Sequence, residues 1–342
     1  MLPRPSPESV APRSTARTRP DPAIWQAVAR QAGAIEANMA RVISGKPNVI
    51  RLAVTVFLAD GHLLIEDVPG VGKTMLARAL AASVGATVRR IQFTPDLLPS
   101  DVTGAPVYNQ AAGSFEFEPG PVFANIVIGD EINRASPRTQ SALLECMEEG
   151  HITVDGTSYA LEQPFHVVAT QNPIDMEGTY ALLEAQRDRF MARLAIGYPD
   201  REAERDMAQA RQLAEPISSI GPVVTLAAVQ QMIAACHQIH TAEAVTDYAV
   251  DLVRATRSHQ GLRLGASPRA AVHLLAAARA HAALAGRGHV LPDDVQALAG
   301  PVLAHRLVTR APVRGVDAAA QSIGVVAEVV KSVPVPVPIA DK

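Results

Sequence analysis

Asp67-Val68-Pro69-Gly70-Val71-Gly72-Lys73-Thr74 decides how the rest of the chain is read. The apolar run Leu63-Leu64-Ile65 precedes it, and Met75, Leu76, Ala79, Leu80 and Val84 follow at helical spacing. Strand, glycine-bearing loop and helix in that order are the setting a phosphate-binding loop requires. Gly70 and Gly72 let the backbone turn tightly and approach an anion. The amides that open the helix then point at a phosphate, where the helix dipole favours negative charge. Lys73 can reach the β- and γ-phosphates, and the Thr74 hydroxyl can ligate Mg²⁺. The usual pattern begins with Gly where this chain has Asp67. Taken alone, the stretch could also be a glycine-rich surface turn.

Two further stretches are read as strands that end in polar groups. Asn125-Ile126-Val127-Ile128-Gly129 runs straight into Asp130-Glu131. In an open α/β sheet, side chains at the C-terminal ends of strands face the ligand crevice. Asp130 can hold Mg²⁺ through water, and Glu131 can polarise a water that attacks the γ-phosphate. Phe165 to Thr170 is a second buried run, and it delivers Gln171-Asn172-Pro173 to the same edge. Asn172 could orient the attacking water, or it could simply turn the chain before Pro173.

The chain has 342 residues, a length that suits two domains, and 48% of them are hydrophobic, enough for a core in each. Lys and Arg number 31 against 34 Asp and Glu, so nothing in the net charge of −3 points to a polyanion partner. Cys146 and Cys236 match no metal spacing and read as small buried side chains in a reducing compartment. No apolar run is long enough to cross a bilayer, and the N-terminus lacks an apolar signal core. A soluble cytoplasmic protein is the expectation.

Residues 1–22 hold many Pro, Arg, Ser and Thr, a composition expected to stay disordered. From 23 to 200 the pattern is α/β with a parallel sheet. It opens with helices over Ile24–Ile43 and Asn48–Ala59, the first burying Ile24, Val28, Ile35, Met39 and Val42. Val88–Phe93 reads as another strand. Hairpins are expected near 105–118 and 151–161, the second on an Asp155-Gly156 turn. Ser136-Pro137 reads as a helix start, and Glu184–Phe190 as helical with Arg187 and Arg189. Residues 201–222 read as a linker. From 223 to 314 the pattern is purely helical: Thr225 caps one helix, Ser267-Pro268 starts another with Val272 and Leu275 inward, and Pro292 and Pro301 each open a short one. Cys236-His237 and His240 are too few matched ligands for a metal site. Residues 315–342 give a helix and an extended Pro/Val tail.

Taken together, these residues resemble the MoxR-type AAA+ ATPases over most of 30–335. Besides the loop, the resemblance is carried by Ile91-Gln92-Phe93-Thr94-Pro95-Asp96-Leu97-Leu98-Pro99-Ser100-Asp101, Asp130-Glu131-Ile132-Asn133-Arg134 and Gln140-Ser141-Ala142-Leu143-Leu144-Glu145. Ala169-Thr170-Gln171-Asn172-Pro173, Glu177-Gly178-Thr179-Tyr180 and Gly265-Ala266-Ser267-Pro268-Arg269 complete the set. That family tolerates a first loop residue other than Gly. The resemblance implies an AAA+ P-loop core followed by a small all-α lid, ATP and Mg²⁺ as cofactors, and ATP hydrolysis. It implies that Asp67, Val68, Pro69, Gly70, Val71, Gly72, Lys73, Thr74 and Met75 bind nucleotide and that Thr74 and Asp130 hold the metal. Lys73 and Thr74 are implied in Walker A and Asp130 and Glu131 in Walker B, with Glu131 catalytic, Asn172 as sensor 1 and Arg269 as sensor 2, which brings positive charge from the lid to the γ-phosphate. Arg189 is implied as the arginine finger that reaches a neighbouring subunit, with Arg187 as the fallback. Ala181 and Leu183 stand where the family usually has prolines. The implied assembly is a homo-oligomeric ring of six that remodels or activates a protein client, with von Willebrand A-type domain proteins as frequent partners. A magnesium-chelatase-like motor subunit, a nucleotide-gated scaffold with little hydrolysis and a nucleic-acid motor are the alternatives, the last disfavoured by the acidic balance.

Overall fold

The computed structural model describes residues 22–172, 179–199, 201–202, 204–205, 216–310 and 316–336. The N-terminal arm through residue 21, Pro173 to Gly178, residue 200, half of the 201–222 linker, residues 311–315 and the end of the Pro/Val tail lie outside the described residues.

Two helices, α1 (Pro22–Ala40) and α2 (Pro47–Leu58), come before the first strand. α1 turns Trp25, Val28, Ala32, Ile35 and Met39 into the core, one face at spacings of three and four. That stripe differs from expectation at one end, because Ile24 is 40% exposed and Trp25 takes its place. The central sheet is built from β1 (Leu63–Glu66), β2 (Val88–Gln92), β5 (Ile126–Asp130), β8 (His166–Gln171) and β9 (Ala192–Leu194). Its order is β2-β5-β8-β1-β9, and every neighbouring pair is parallel. All five residues of β5 are buried, as an apolar run covered on both faces requires. Parallel pairing puts the C-terminal ends of β1, β5 and β8 side by side, and that edge carries the site.

α3 (Lys73–Val84) follows the loop after β1, and α5 (Pro137–Glu149) follows β5. Ser136 caps α5 by accepting the Thr139 amide at 3.3 Å. The two hairpins are β3 (Gly104–Asn109) with β4 (Ser114–Pro119), and β6 (His151–Val154) with β7 (Thr157–Ala160). A one-turn helix, α4 (Pro99–Thr103), leads into the first hairpin, and another, α6 (Glu184–Arg187), leads into β9. α6 is shorter than the Glu184–Phe190 helix expected, because the chain must unwind to enter β9, a strand the sequence reading missed.

The lid holds helices Leu226–His237, Glu243–Ser258, Pro268–Leu284 and Pro292–Leu303. Thr225 caps the first of these through the Ala228 amide. Three expectations fail here. Val272 is 66% exposed, the buried face of its helix running instead through Ala270, Leu274 and Ala277. Pro301 opens nothing and lies inside the Pro292–Leu303 helix, near its end. The lid is also not purely helical, since Leu262–Leu264 pairs antiparallel with Val308–Thr309. A last helix, Val316–Ser332, follows. Among the described residues no helix is long and apolar enough to cross a membrane.

Candidate nucleotide site

Gly70 and Gly72 take φ of +86° and +94°, a region that strains any residue with a Cβ. The loop can therefore curl back on itself, and Lys73 Nζ donates to the carbonyls of Asp67 and Gln171, the latter at 3.2 Å. Gln171 ends β8, so Lys73 links the loop to the strand that presents Asn172, which is buried. Val71 and Met75 lean on the apolar core and anchor the loop from behind.

Asp67 does a separate job. Its carboxylate accepts the backbone amides of Val68, Ile196 and Gly197 at 2.6–2.7 Å. The residue that replaces the usual Gly thus ties the start of the loop to the chain leaving β9.

Asp130 ends β5. Its carboxylate receives the hydroxyls of Thr74 at 3.2 Å and of Thr170 at 3.1 Å. Arg90, from the edge strand β2, donates Nε to the same group at 2.6 Å. The Asp130 carboxylate and the Thr74 hydroxyl beside it are oxygen ligands of the kind that suits Mg²⁺. Glu131 adopts the left-handed region, with φ of +58° and ψ of +48°, a strain of about 1–3 kcal/mol for such a residue. Its amide, donating to the Thr170 hydroxyl at 3.0 Å, helps hold that turn. The turn aims Glu131 away from Asp130, toward Gln92 Nε2 at 3.1 Å and Arg134 at 2.9 Å. Gln140, fully buried, fastens this turn to the next segment through the carbonyls of Ile132, Ala135 and Tyr180.

Lys73, Thr74, Asp130, Glu131 and Asn172 are therefore gathered at one edge. Arg189 and Arg269 are not. Arg189 Nε donates to Glu148 at 2.9 Å, and Arg269 bonds the other oxygen of the same carboxylate. They line a cavity of about 240 Å³ with Asp60, Gly61, His62 and His273. Asp60 to His62 come just before β1, so this is the N-terminal edge of the sheet. The four residues of β1 put roughly 13 Å between the two edges. Arg187 parts from both: it is partly buried in a pocket with Glu66 and Gln171, the last residues of β1 and β8, and with Leu182 and Glu184, its Nε unpartnered. Burial lowers its pKa, Glu184 and Glu66 acting against that.

Arg90, Gln92 and Thr170 escaped the reading of roles from sequence. Arg90 and Gln92 stand two apart on β2 and so share a face. The alternation was visible, but the pairing of β2 with β5 that makes it meaningful is not local.

A parallel sheet with a phosphate loop and two successive acids at its C-terminal edge, followed by a helical lid, defines the AAA+ class of P-loop proteins. Comparison with known families agrees. The ATPase family associated with various cellular activities (AAA) matches residues 62–192, and the AAA lid domain matches 254–323. The uncharacterized protein YeaC of Bacillus subtilis (strain 168) is 48% identical over 87% of this chain and 92% of its own length. Chaperone MoxR1 of Mycobacterium tuberculosis is 43% identical over 78% of this chain and 73% of its own. Protein MoxR of Paracoccus denitrificans is 34% identical over 83% and 89%. A solved candidate ATPase from Cytophaga hutchinsonii superimposes with a TM-score of 0.83 at 34% identity, covering 92% of this chain and 97% of that one. The chain belongs to the MoxR family of AAA+ ATPases.

Proposed function

We propose that the protein hydrolyses ATP at a site completed by a second copy of itself, in a ring, and uses the cycle to remodel a protein client. One observation carries this reading: the groups that bind phosphate and metal lie at one edge of the sheet, and the two candidate arginines lie at the other. Arg189, just before β9, cannot reach its own chain's γ-phosphate without dismantling the sheet, and Arg269 is held beside it on Glu148. A neighbour can supply them.

The loop from Asp67 to Met75 holds the triphosphate, with Lys73 on the β- and γ-oxygens. Thr74 and Asp130 would hold Mg²⁺, which would neutralise charge on those oxygens. Glu131 takes a proton from the attacking water and Asn172 orients that water. The new P–O bond forms as the bridge to ADP breaks, and Arg189 and Arg269 of the adjacent copy stabilise the charge that develops. A donated arginine of this kind is worth roughly 10³–10⁵ in rate.

Six subunits and a cytoplasmic setting are what the family resemblance suggests. A client role draws support from the hairpin β3–β4, where Phe115, 71% exposed, stacks edge-on with Tyr108 in open solvent. The name of the relative MoxR1, a chaperone, points the same way. A partner with a von Willebrand A-type domain is the first to try.

Glu131→Gln tests the chemistry. It removes the proton acceptor and keeps the shape, so ATP affinity stays near wild type while turnover falls about 10²–10⁴-fold. Equilibrium binding of a fluorescent ATP analogue beside phosphate release measures both. Turnover at the wild-type rate would refute the role given to Glu131.

A further inference from the structure

Asp188 and Phe190 bracket Arg189, and both are held by the lid. Arg306, 3% exposed, donates to Asp188 Oδ1 at 2.9 Å and to the Phe190 carbonyl at 2.6 Å. It also donates to His273 Nδ1 at 2.6 Å. Ser267 donates its hydroxyl to both Asp188 oxygens, at 2.9 and 2.8 Å, and His305 Nε2 lies 3.1 Å from the Phe190 carbonyl. Ser267 stands at the N-cap position of the helix that carries Arg269, its hydroxyl turned to Asp188, and His273 stands one turn after Arg269 on the same face. The contacts therefore join the arginine-bearing strand entry to the arginine-bearing lid helix.

Energetics say why this polar cluster is there. A buried ion pair such as Arg306–Asp188 adds little net stability over an apolar packing of the same volume, because both charges lose their water. What it does supply is direction: the guanidinium is planar and its donors are fixed. Burial and the charges of Arg306 and Arg269 push His273 down to about 3, which keeps Nδ1 an acceptor.

We propose that Arg306 is a positioning residue for ATP hydrolysis. It locks the Asp188–Phe190 segment to the lid helix, so that Arg189 and Arg269 are delivered as one pair to the nucleotide of the adjacent copy. In the present arrangement Glu148 holds that pair, in the place a γ-phosphate takes when copies engage. The inference rests on the across-boundary reading proposed above, and the test separates the two.

Arg306→Gln keeps its own phosphate loop and acids, so its affinity for MgADP stays within about twofold while kcat falls. A misplacement of about 1 Å in a catalytic group costs on the order of 10²-fold. Mixing with an excess of Glu131→Gln is the discriminating step, because that partner cannot hydrolyse but still carries intact arginines. Turnover per Arg306→Gln chain then rises at least about tenfold, part of the factor a donated arginine supplies. Arg189→Ala, mixed in the same way, is the reference and is rescued too. Rescue of Arg189→Ala without rescue of Arg306→Gln overturns the clamp and leaves the across-boundary site standing. Failure of both overturns the shared site and the clamp with it. A wild-type kcat for Arg306→Gln also overturns the clamp. If Arg306→Gln does not fold, Ser267→Ala carries the test, with a loss of roughly fivefold in kcat, one hydrogen bond's worth, and the same rescue. An unchanged kcat in Ser267→Ala then overturns the proposal.

Discussion

Asp67 occupies a position where glycine is usual, and its carboxylate accepts three backbone amides. Those amides belong to the loop itself and to the exit from β9, so the side chain joins two pieces of chain that approach only in the fold. Hydrogen bonds to a charged acceptor are worth about 1.5–3 kcal/mol each in mutational series. Asp67→Ala therefore destabilises the protein by at least about 2 kcal/mol in urea unfolding and weakens nucleotide affinity, because the loop loses its anchor. Asp67→Asn retains acceptors and loses less. Loss of affinity without loss of stability would contradict this account. The loop's own geometry was legible in the sequence because Gly70, Gly72 and Lys73 act through local backbone. The partners of Asp67 were not, because Ile196 and Gly197 come near only through the pairing of β1 with β9.

At the scale of elements, two histidines, one opening β8 and one just before β1, lock the N-terminal edge. His166, the first residue of β8, bonds the Gly61 carbonyl through Nδ1 at 2.6 Å. His62, just before β1, accepts the Val167 amide at Nδ1 and meets the Met147 carbonyl through Nε2. Both rings are buried and neutral, and burial lowers both pKa values, His166 to about 3. The unfolded chain, titrating near 6.5, then binds the more protons, so stability is full above that pH and falls as pH drops toward 3. Between pH 7.5 and 5, His166 alone costs about 2 kcal/mol, read as a lower urea midpoint. A midpoint unchanged across that range would contradict the neutral, buried assignment. The long strands and helices were legible from periodicity. β9 and the Leu262–Leu264 pair were not, because three residues with an arginine among them give no period. Pro301 misled because proline is favoured at a helix start, whereas here it lies inside a helix that ends two residues later, at Leu303.

At the scale of the whole molecule, one apolar cluster runs from Trp25 in α1 through the sheet to Leu303 in the lid. Lid and sheet thus form a continuous body that presents a phosphate edge and an arginine edge in different directions. In the function proposed above such a body completes its site against a second copy, the heterologous kind of contact that generates rings. Lys73, Thr74, Asp130, Glu131 and Asn172 of the phosphate edge were legible from the loop and strand-end motifs, whereas Arg90, Gln92 and Thr170 were not. The opposite placement of Arg189 and Arg269 was not, since it depends on Glu148 at the far end of α5. The most direct test is the structure of the Glu131→Gln assembly trapped with ATP and Mg²⁺, read as the distances from each γ-phosphate to Arg189 and Arg269. The account predicts both guanidiniums of the adjacent copy within hydrogen-bond reach, released from Glu148. Arginines still seated on Glu148, or a γ-phosphate met by those of its own chain, would contradict it.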